Sequence, residues 1–168
     1  MTRRLLLVGM MGAGKTTVGR LVADRLSWHY ADSDHAVEST TGQTVAELFA
    51  RGGEGEFRPL ESAALAAAVA GDEPVVVSVA GGAVLDAANR ALLRGAGTVV
   101  WLRAKPSTLA ARVVSGSHRP LLGHDPAGAL ERLEAERRPL YEEVADAVVD
   151  VDDLDPEAVA DRVVGALR

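Results

Sequence analysis

Residues 9–16 are Gly9-Met10-Met11-Gly12-Ala13-Gly14-Lys15-Thr16. They match the phosphate-binding loop pattern G-x-x-x-x-G-K-S/T, and the flanking sequence supplies the context that this pattern needs. Residues 5–8 form a short apolar run that predicts a buried strand, and residues 17–23 predict a helix. The alternative is a glycine-rich turn that matches the pattern by chance, and such a turn would not require lysine and threonine at these two positions. The stretch therefore predicts a site for a nucleoside triphosphate.

The residue types in this loop explain how it would hold phosphate. Glycines let the backbone curl until successive N–H groups point inward at an anion, and the start of the next helix adds its positive dipole end. Lys15 would reach the β- and γ-phosphates, and the hydroxyl of Thr16 would hold Mg²⁺. The loop residues that we predict to bind ATP are Gly12, Ala13, Gly14, Lys15, Thr16 and Thr17.

Length and composition limit the class of protein. The chain has 168 residues, of which 48% are hydrophobic, and this is enough for one core. A net charge of −6 argues against a sequence-independent grip on nucleic acid. The absence of cysteine excludes disulfides, thiolate zinc sites and cysteine nucleophiles. Because no apolar run could span a bilayer and no leader precedes the first strand, we expect a cytoplasmic protein that binds neither nucleic acid nor membrane.

Strand-like and helix-like segments alternate along the chain, which is typical of the α/β class. The predicted strands are residues 5–8, 28–31, 74–79, 98–102 and 147–151. Unbroken apolar runs in three of them indicate a parallel sheet covered on both faces. Capping signals at Thr44, Asp125 and Asp155 predict helix starts, and residues 61–70 favour helix through their alanine content. We therefore predict a single α/β domain over residues 1–168.

Two segments are longer than simple connections between elements. An insertion over about residues 34–61 adds helical material between the second and third strands, and we predict that it binds the substrate. The second segment, from about residue 115 to 125, is rich in glycine and polar side chains. A loop of that length in a compact domain is usually a functional lid, and a mobile surface loop is the alternative.

Charged side chains follow the strands at places where open α/β sheets bind ligands. Asp32 and Asp34 come directly after the second strand, so we expect one carboxylate to face metal and phosphate and the other to face a second pocket. Helix capping is the alternative, although it would use only one of the two. Ser78 stands where many phosphate-loop enzymes have an acidic residue, which shifts metal and base duties toward Asp32. Arg58 and Arg137 could bind carboxylate or phosphate through their planar forks, or each could be a solvated surface residue.

Taken together, the sequence resembles the shikimate kinase family along its whole length. The resemblance rests on the loop followed by V-G-R, Asp32-x-Asp34, T-G-Q-T-V-A-E-L-F (41–49), G-E-x-x-F-R-x-x-E (53–61), G-G-A-V (81–84), R-P-L-L (119–122) and R-x-P-L-Y (137–141). The phosphate loop alone occurs in many families, whereas this combination is far more specific. The resemblance implies a phosphate-loop kinase fold with three layers, in which helices flank a five-stranded parallel sheet ordered 2-3-1-4-5, and a mobile lid.

The resemblance also implies an activity and the residues that carry it. The activity is ATP-dependent phosphorylation of shikimate to shikimate 3-phosphate by in-line transfer, in the route to chorismate and the aromatic amino acids. Lys15, Asp32 and Arg119 would be catalytic, and Thr16 with Asp32, through water, would hold Mg²⁺. Arg119 would move with the lid toward the transferring phosphoryl group. Arg112 would lie against the adenine.

For the acceptor, the resemblance implies a pocket that binds one small carboxylated polyol. Asp34 would accept hydrogen bonds from substrate hydroxyls, and Arg58 and Arg137 would clamp the carboxylate. The turn of Gly81 and Gly82 would contact the ring hydroxyls through its backbone. ATP and Mg²⁺ are the implied cofactors, and we expect a monomer.

One position departs from the family pattern, because Ala80 stands where three successive glycines usually begin. Alanine is harmless there at negative φ but strained by about 1 kcal/mol or more at positive φ. The departure leaves open a related kinase for another hydroxylated acid or a cyclitol, although two arginines facing one pocket favour a carboxylate. A non-catalytic nucleotide-binding module is a third hypothesis, and it is disfavoured because Lys15, Asp32 and Arg119 are all present.

Overall fold

A computed structural model describes residues 3–113 and 122–167. Five parallel strands form one sheet in the order β2-β3-β1-β4-β5, which confirms the order implied by the family resemblance. The strands are β1 Arg4–Val8, β2 His29–Asp32, β3 Val75–Ser78, β4 Thr98–Arg103 and β5 Ala147–Asp150. Every strand bound lies within one residue of its prediction, and the apolar runs of β1, β3 and β4 coincide with the buried parts of those strands.

Helices flank the sheet and follow the strands along the chain. They are α1 Lys15–Leu26, α2 Ser33–Thr41, α3 Val45–Ala68, α4 Ala87–Ala96, α5 Pro106–Val113, α6 Pro126–Val144 and α7 Pro156–Gly165. Helix α1 packs against β3 and α7, whereas α4 and α6 pack against β4 and each other. None of the helices in the described ranges is both long enough and apolar enough to cross a bilayer.

The predicted capping signals mark the starts of three helices. Thr44 accepts the N–H of Glu47, and the Glu47 carboxylate accepts the N–H of Thr44, so the two residues form a capping box at α3. Asp125 and Asp155 accept N–H bonds at α6 and α7, each before a proline at the first helical turn. Helix α3 includes both predicted helical stretches, the one that starts at Thr44 and most of residues 61–70, and it is interrupted by a kink at Gly53 (φ 65°, ψ −160°).

The central strands form the core. Leu5, Leu6 and Leu7 on β1 have no exposed surface, as expected for a parallel strand covered on both faces. A second, smaller cluster of Val37, Leu48 and Phe57 holds α2 against α3. The segment predicted as an insertion therefore has apolar contacts of its own beside the main core.

The sheet brings the carboxyl ends of β1, β2 and β3 to one edge. Asp32, the last residue of β2, pairs in register with Ser78 on β3, and Ser78 pairs with Leu7 on β1. Loops that follow these strands therefore gather at the same edge, which is where parallel α/β sheets bind ligands.

Candidate active site

A single cavity of about 920 Å³ lies along this edge of the sheet. It extends from the phosphate loop to the face where α3 and α6 carry arginines. The predicted site residues that line it are Gly12, Ala13, Gly14, Lys15, Thr16, Thr17, Asp32, Asp34, Arg58, Gly81, Gly82, Arg112 and Arg137. Arg119 and most of the predicted lid lie outside the described residues. The structure thus brings together every predicted site residue that it describes.

The phosphate loop has the backbone geometry of an anion-binding turn. Gly12 (φ 84°) and Gly14 (φ 97°) occupy the left-handed region, which glycine adopts without strain. The side chain of Lys15 folds back over the loop, where its Nζ donates to the carbonyls of Gly9 (2.6 Å) and Met10 (3.1 Å). Because α1 begins at Lys15, the loop leads directly into the start of a helix, a place that favours an anion. The loop therefore fits a phosphate chain.

The two oxygens of Asp32 have different partners. Oδ1 accepts the backbone N–H groups of Asp34 (3.0 Å) and His35 (3.1 Å) and so caps α2. Oδ2 accepts the hydroxyl of Thr16 at 3.3 Å. The sequence left open whether Asp32 caps a helix or faces the phosphate loop. In the structure the same carboxylate does both, one with each oxygen.

The oxygens of Thr16 and Asp32 suit a hard cation. Mg²⁺ prefers oxygen ligands and usually keeps several waters, so that one hydroxyl and one carboxylate beside bound phosphates form a typical set. Within residues 3–113 and 122–167, no three acidic or histidine side chains cluster as a cage for a metal. The pair is therefore compatible with a cation shared between protein, water and phosphate.

Tyr30 and Ser78 form a hydrogen-bonded link behind this pair. The Tyr30 hydroxyl shares its one proton between Ser78 Oγ (2.9 Å) and Asp32 Oδ2 (3.4 Å), and Ser78 Oγ donates to the carbonyl of Lys15 (2.9 Å). Burial raises the pKa of Tyr30, so the phenol keeps its proton at neutral pH. Sequence reasoning did not select Tyr30. The available signal was its position two residues before Asp32 on one strand, which puts both side chains on the same face of the sheet.

Arg58 is held between two glutamates of its own helix. Its Nη1 donates to both carboxylate oxygens of Glu61 (2.9 and 3.0 Å), while Nε and Nη2 donate to Oε2 of Glu54 (3.2 and 3.1 Å). Glu61 is 2% exposed, and burial raises its pKa against the opposing charge of Arg58. Glu61 was not selected as a site residue from the sequence, although its spacing of three from Arg58 on a helix was a usable signal.

Arg137 is 1% exposed, which rules out the surface role that the sequence left open. Its Nε is buried and has no hydrogen-bond partner among the described residues. Tyr141 lies one turn further along α6 and donates its hydroxyl to the carbonyl of Gly81 (2.7 Å). Burial raises the pKa of Tyr141 to about 12. A buried guanidinium with an unused donor, facing a cavity, is suited to an anionic ligand.

The glycines of the turn after β3 lie against the two arginines. A Cβ atom on Gly81 would be 3.3 Å from Nη1 of Arg137, and one on Gly82 would overlap Nη1 of Arg58 and lie 2.6 Å from its Cζ. Ala80 has a φ outside the left-handed region and donates its N–H to Ser33 Oγ (2.9 Å). Alanine is therefore not strained at position 80, as expected for a φ outside the left-handed region.

Arg112 lies at the phosphate-loop end of the cavity. Its Nη1 donates to the carbonyl of Gly12 at 3.0 Å. Further along the chain, Val151, Leu154, Pro156 and Val159 add apolar surface to the same cavity. Sequence reasoning missed these four residues, because an apolar residue that lines a pocket carries no motif.

Known proteins provide a close match to this chain. The shikimate kinase family model matches residues 11–168. A shikimate kinase of Symbiobacterium thermophilum is 50% identical over 144 residues, which cover 84% of this chain and 82% of that protein. The solved shikimate kinase of Acinetobacter baumannii in complex with shikimate has a TM-score of 0.92 at 36% identity, covering 96% of this chain and 90% of the other. That of Bacteroides thetaiotaomicron has a TM-score of 0.89 at 32% identity, covering 98% and 97%.

Proposed function

Because the chain belongs to the shikimate kinase family, we propose that it phosphorylates shikimate with ATP and forms shikimate 3-phosphate. The observation that carries this proposal is the single cavity that joins the phosphate loop to Arg58 and Arg137. A kinase must hold a nucleotide and an acceptor in one space, since in-line transfer depends mainly on positioning and charge neutralisation. A carboxylated acceptor suits the arginine end, where Nε of Arg137 is buried without a partner in the described chain.

At the nucleotide end, the loop amides and Lys15 bind the phosphates, and Arg112 lies against the adenine. Thr16 and, through water, Asp32 would hold Mg²⁺, which would supply positive charge against the phosphate oxygens. The acceptor hydroxyl oxygen bonds to the γ-phosphorus as the bond to the bridging oxygen breaks and ADP leaves. Asp32 assists removal of the hydroxyl proton.

At the acceptor end, Arg58 and Arg137 clamp the carboxylate by charge-assisted hydrogen bonds. Asp34 accepts hydrogen bonds from the ring hydroxyls, and the turn of Gly81 and Gly82 borders the ring. Arg119, which belongs to the segment predicted as a lid, approaches the transferring phosphoryl group and neutralises its charge. The buried Arg137, whose Nε has no partner among the described residues, disfavours a neutral cyclitol, because it would bring no charge to pair with the guanidinium.

The proposal is tested by a coupled ADP-release assay with Mg²⁺, ATP and a panel of acceptors. We expect turnover with shikimate, less with gluconate, and none above background with a cyclitol such as inositol. Absence of turnover at millimolar shikimate would overturn the assignment of acceptor, and turnover of a different acid would replace it.

We further propose that the protein acts as a monomer in the cytoplasm, where ATP is supplied. The described residues proposed for both substrates line the cavity of one chain, which supports catalysis by a single copy. Light scattering of the purified protein tests the oligomeric state, and a mass of two or more chains would contradict the proposal.

Gly82→Ala is expected to raise the KM for shikimate about tenfold while leaving the KM for ATP within twofold. Gly82 has φ −87° and ψ −4°, which alanine adopts freely, but the new methyl group would displace the guanidinium of Arg58. Loss of one charge-assisted hydrogen bond accounts for a factor of about ten or more.

Gly95→Ala is the matched control for this change. A Cβ at Gly95 on α4 would meet nothing within 4 Å, so both KM values should stay within twofold. Steady-state kinetics of the two variants check the prediction. An unchanged shikimate KM in Gly82→Ala would show that Arg58 does not need its observed position.

A further inference from the structure

Tyr30 is a half-buried phenol to which the proposed mechanism assigns no role. It shares a face of the sheet with Asp32, and its hydroxyl lies 3.4 Å from Asp32 Oδ2 and 2.9 Å from Ser78 Oγ. Ser78 Oγ in turn donates to the carbonyl oxygen of Lys15, the first residue of α1. Tyr30 therefore touches the metal-side carboxylate and is tied, through one hydroxyl, to the end of the phosphate loop.

The position of Asp32 Oδ2 depends on such a contact. Two backbone N–H groups hold Oδ1, but Oδ2 faces the hydroxyls of Thr16 at 3.3 Å and Tyr30 at 3.4 Å. A carboxylate that must present one chosen oxygen to a cation is better ordered when a second group contacts that oxygen. The guanidinium of Arg20 lies over the Tyr30 ring, 5.5 Å from its centre, in a cation–π contact that helps to hold the ring in place.

We propose that Tyr30 is a positioning residue for the divalent cation: its phenol keeps Asp32 Oδ2 opposite Thr16. This inference rests on the proposed kinase function, because the cation arrives with the nucleotide. It predicts that loss of the hydroxyl weakens Mg²⁺-dependent nucleotide binding without weakening nucleotide binding itself.

Tyr30→Phe tests this by removing the hydroxyl alone. Calorimetry measures the Kd of ADP in EDTA and in Mg²⁺. The Kd in EDTA divided by the Kd in Mg²⁺, the Mg²⁺ ratio, reports how much the cation strengthens binding. In Tyr30→Phe we expect this ratio to fall about three- to tenfold, the factor that one ordinary hydrogen bond provides, with the Kd in EDTA within twofold of the parent value. The KM for Mg²⁺ should rise by a similar factor, while the KM for shikimate stays within twofold.

Tyr141→Phe is the matched control, since the chain has two tyrosines and this one donates to Gly81 at the acceptor end. It should keep the Mg²⁺ ratio and raise the KM for shikimate.

Ser78→Ala provides a second, independent test. It leaves the Tyr30 hydroxyl with Asp32 alone, so the Mg²⁺ ratio should be retained or should rise.

Three results would overturn the proposal. They are an unchanged Mg²⁺ ratio in Tyr30→Phe, an equal loss of ADP binding in Mg²⁺ and in EDTA, or a fall in Ser78→Ala as large as that in Tyr30→Phe. Thermal unfolding verifies that each variant is folded before titration. Failure of the parent protein to bind ADP or to phosphorylate shikimate would instead count against the kinase function, so the two failures are distinguishable.

Discussion

Lys15→Met is expected to lower kcat for shikimate phosphorylation by roughly a hundred- to a thousandfold. Lys15 Nζ lies over the concave side of the phosphate loop, bonded to the Gly9 and Met10 carbonyls, where the phosphates of ATP would be bound. Removing one preorganised positive charge from a site of phosphoryl transfer lowers kcat by a factor of about this size. Methionine retains the length of the side chain, so we expect the unfolding midpoint to change little.

Lys105→Met provides the matched control, because Lys105 is the other lysine of the chain and is exposed before α5. Its kcat and both KM values should stay within twofold of the parent values. The measurement is the coupled assay with saturating ATP and shikimate. If Lys15→Met kept more than a tenth of the parent kcat, the phosphate loop would not be the site of transfer.

Arg137→Met is expected to raise the KM for shikimate about ten- to a hundredfold and to leave the KM for ATP within twofold. The guanidinium is buried and borders the acceptor end of the cavity, so its loss removes charge-assisted hydrogen bonds worth about 1.5–3 kcal/mol. Methionine fills the space of the buried stem and limits the loss of packing.

Arg138→Met separates this effect from a general effect on α6. Arg138 is the next residue, but its side chain is 46% exposed and pairs with Glu134 one turn earlier. Its partner Glu134 is nearly buried, but Arg138 is not among the residues that line the cavity, and we therefore expect both KM values to stay within twofold. If Arg137→Met weakened ATP instead of shikimate, the arginine would belong to the nucleotide end and the proposed acceptor pocket would be wrong.

Most of the fold could be predicted because its elements depend on neighbours in the sequence. The apolar runs of the strands and the caps at Thr44, Asp125 and Asp155 are local signals, and each located a strand or the start of a helix within a residue or two of its observed position. The strand order is different, since it depends on how distant segments pair. It was available only through the resemblance to a family.

Within the site, the sequence located charged groups but not their partners. Whether Asp32 capped a helix or faced the phosphate loop could not be decided, because the answer depends on the separate directions of its two oxygens. The environment of Arg137 was also open. A single arginine in a helical segment is indistinguishable from a surface residue until the packing of α6 against the sheet has buried it.

The phosphate loop, the α/β class and membership of the family follow from the sequence, because motifs and periodicity are properties of residues close together in the chain. Tertiary structure alone connected Ser78 and Tyr141 to their partners in the site. Ser78 and Lys15 are 63 positions apart, and Tyr141 and Gly81 are 60 apart. Their hydrogen bonds exist only because parallel pairing aligns the strand ends and α6 packs across them, and no local pattern encodes that geometry.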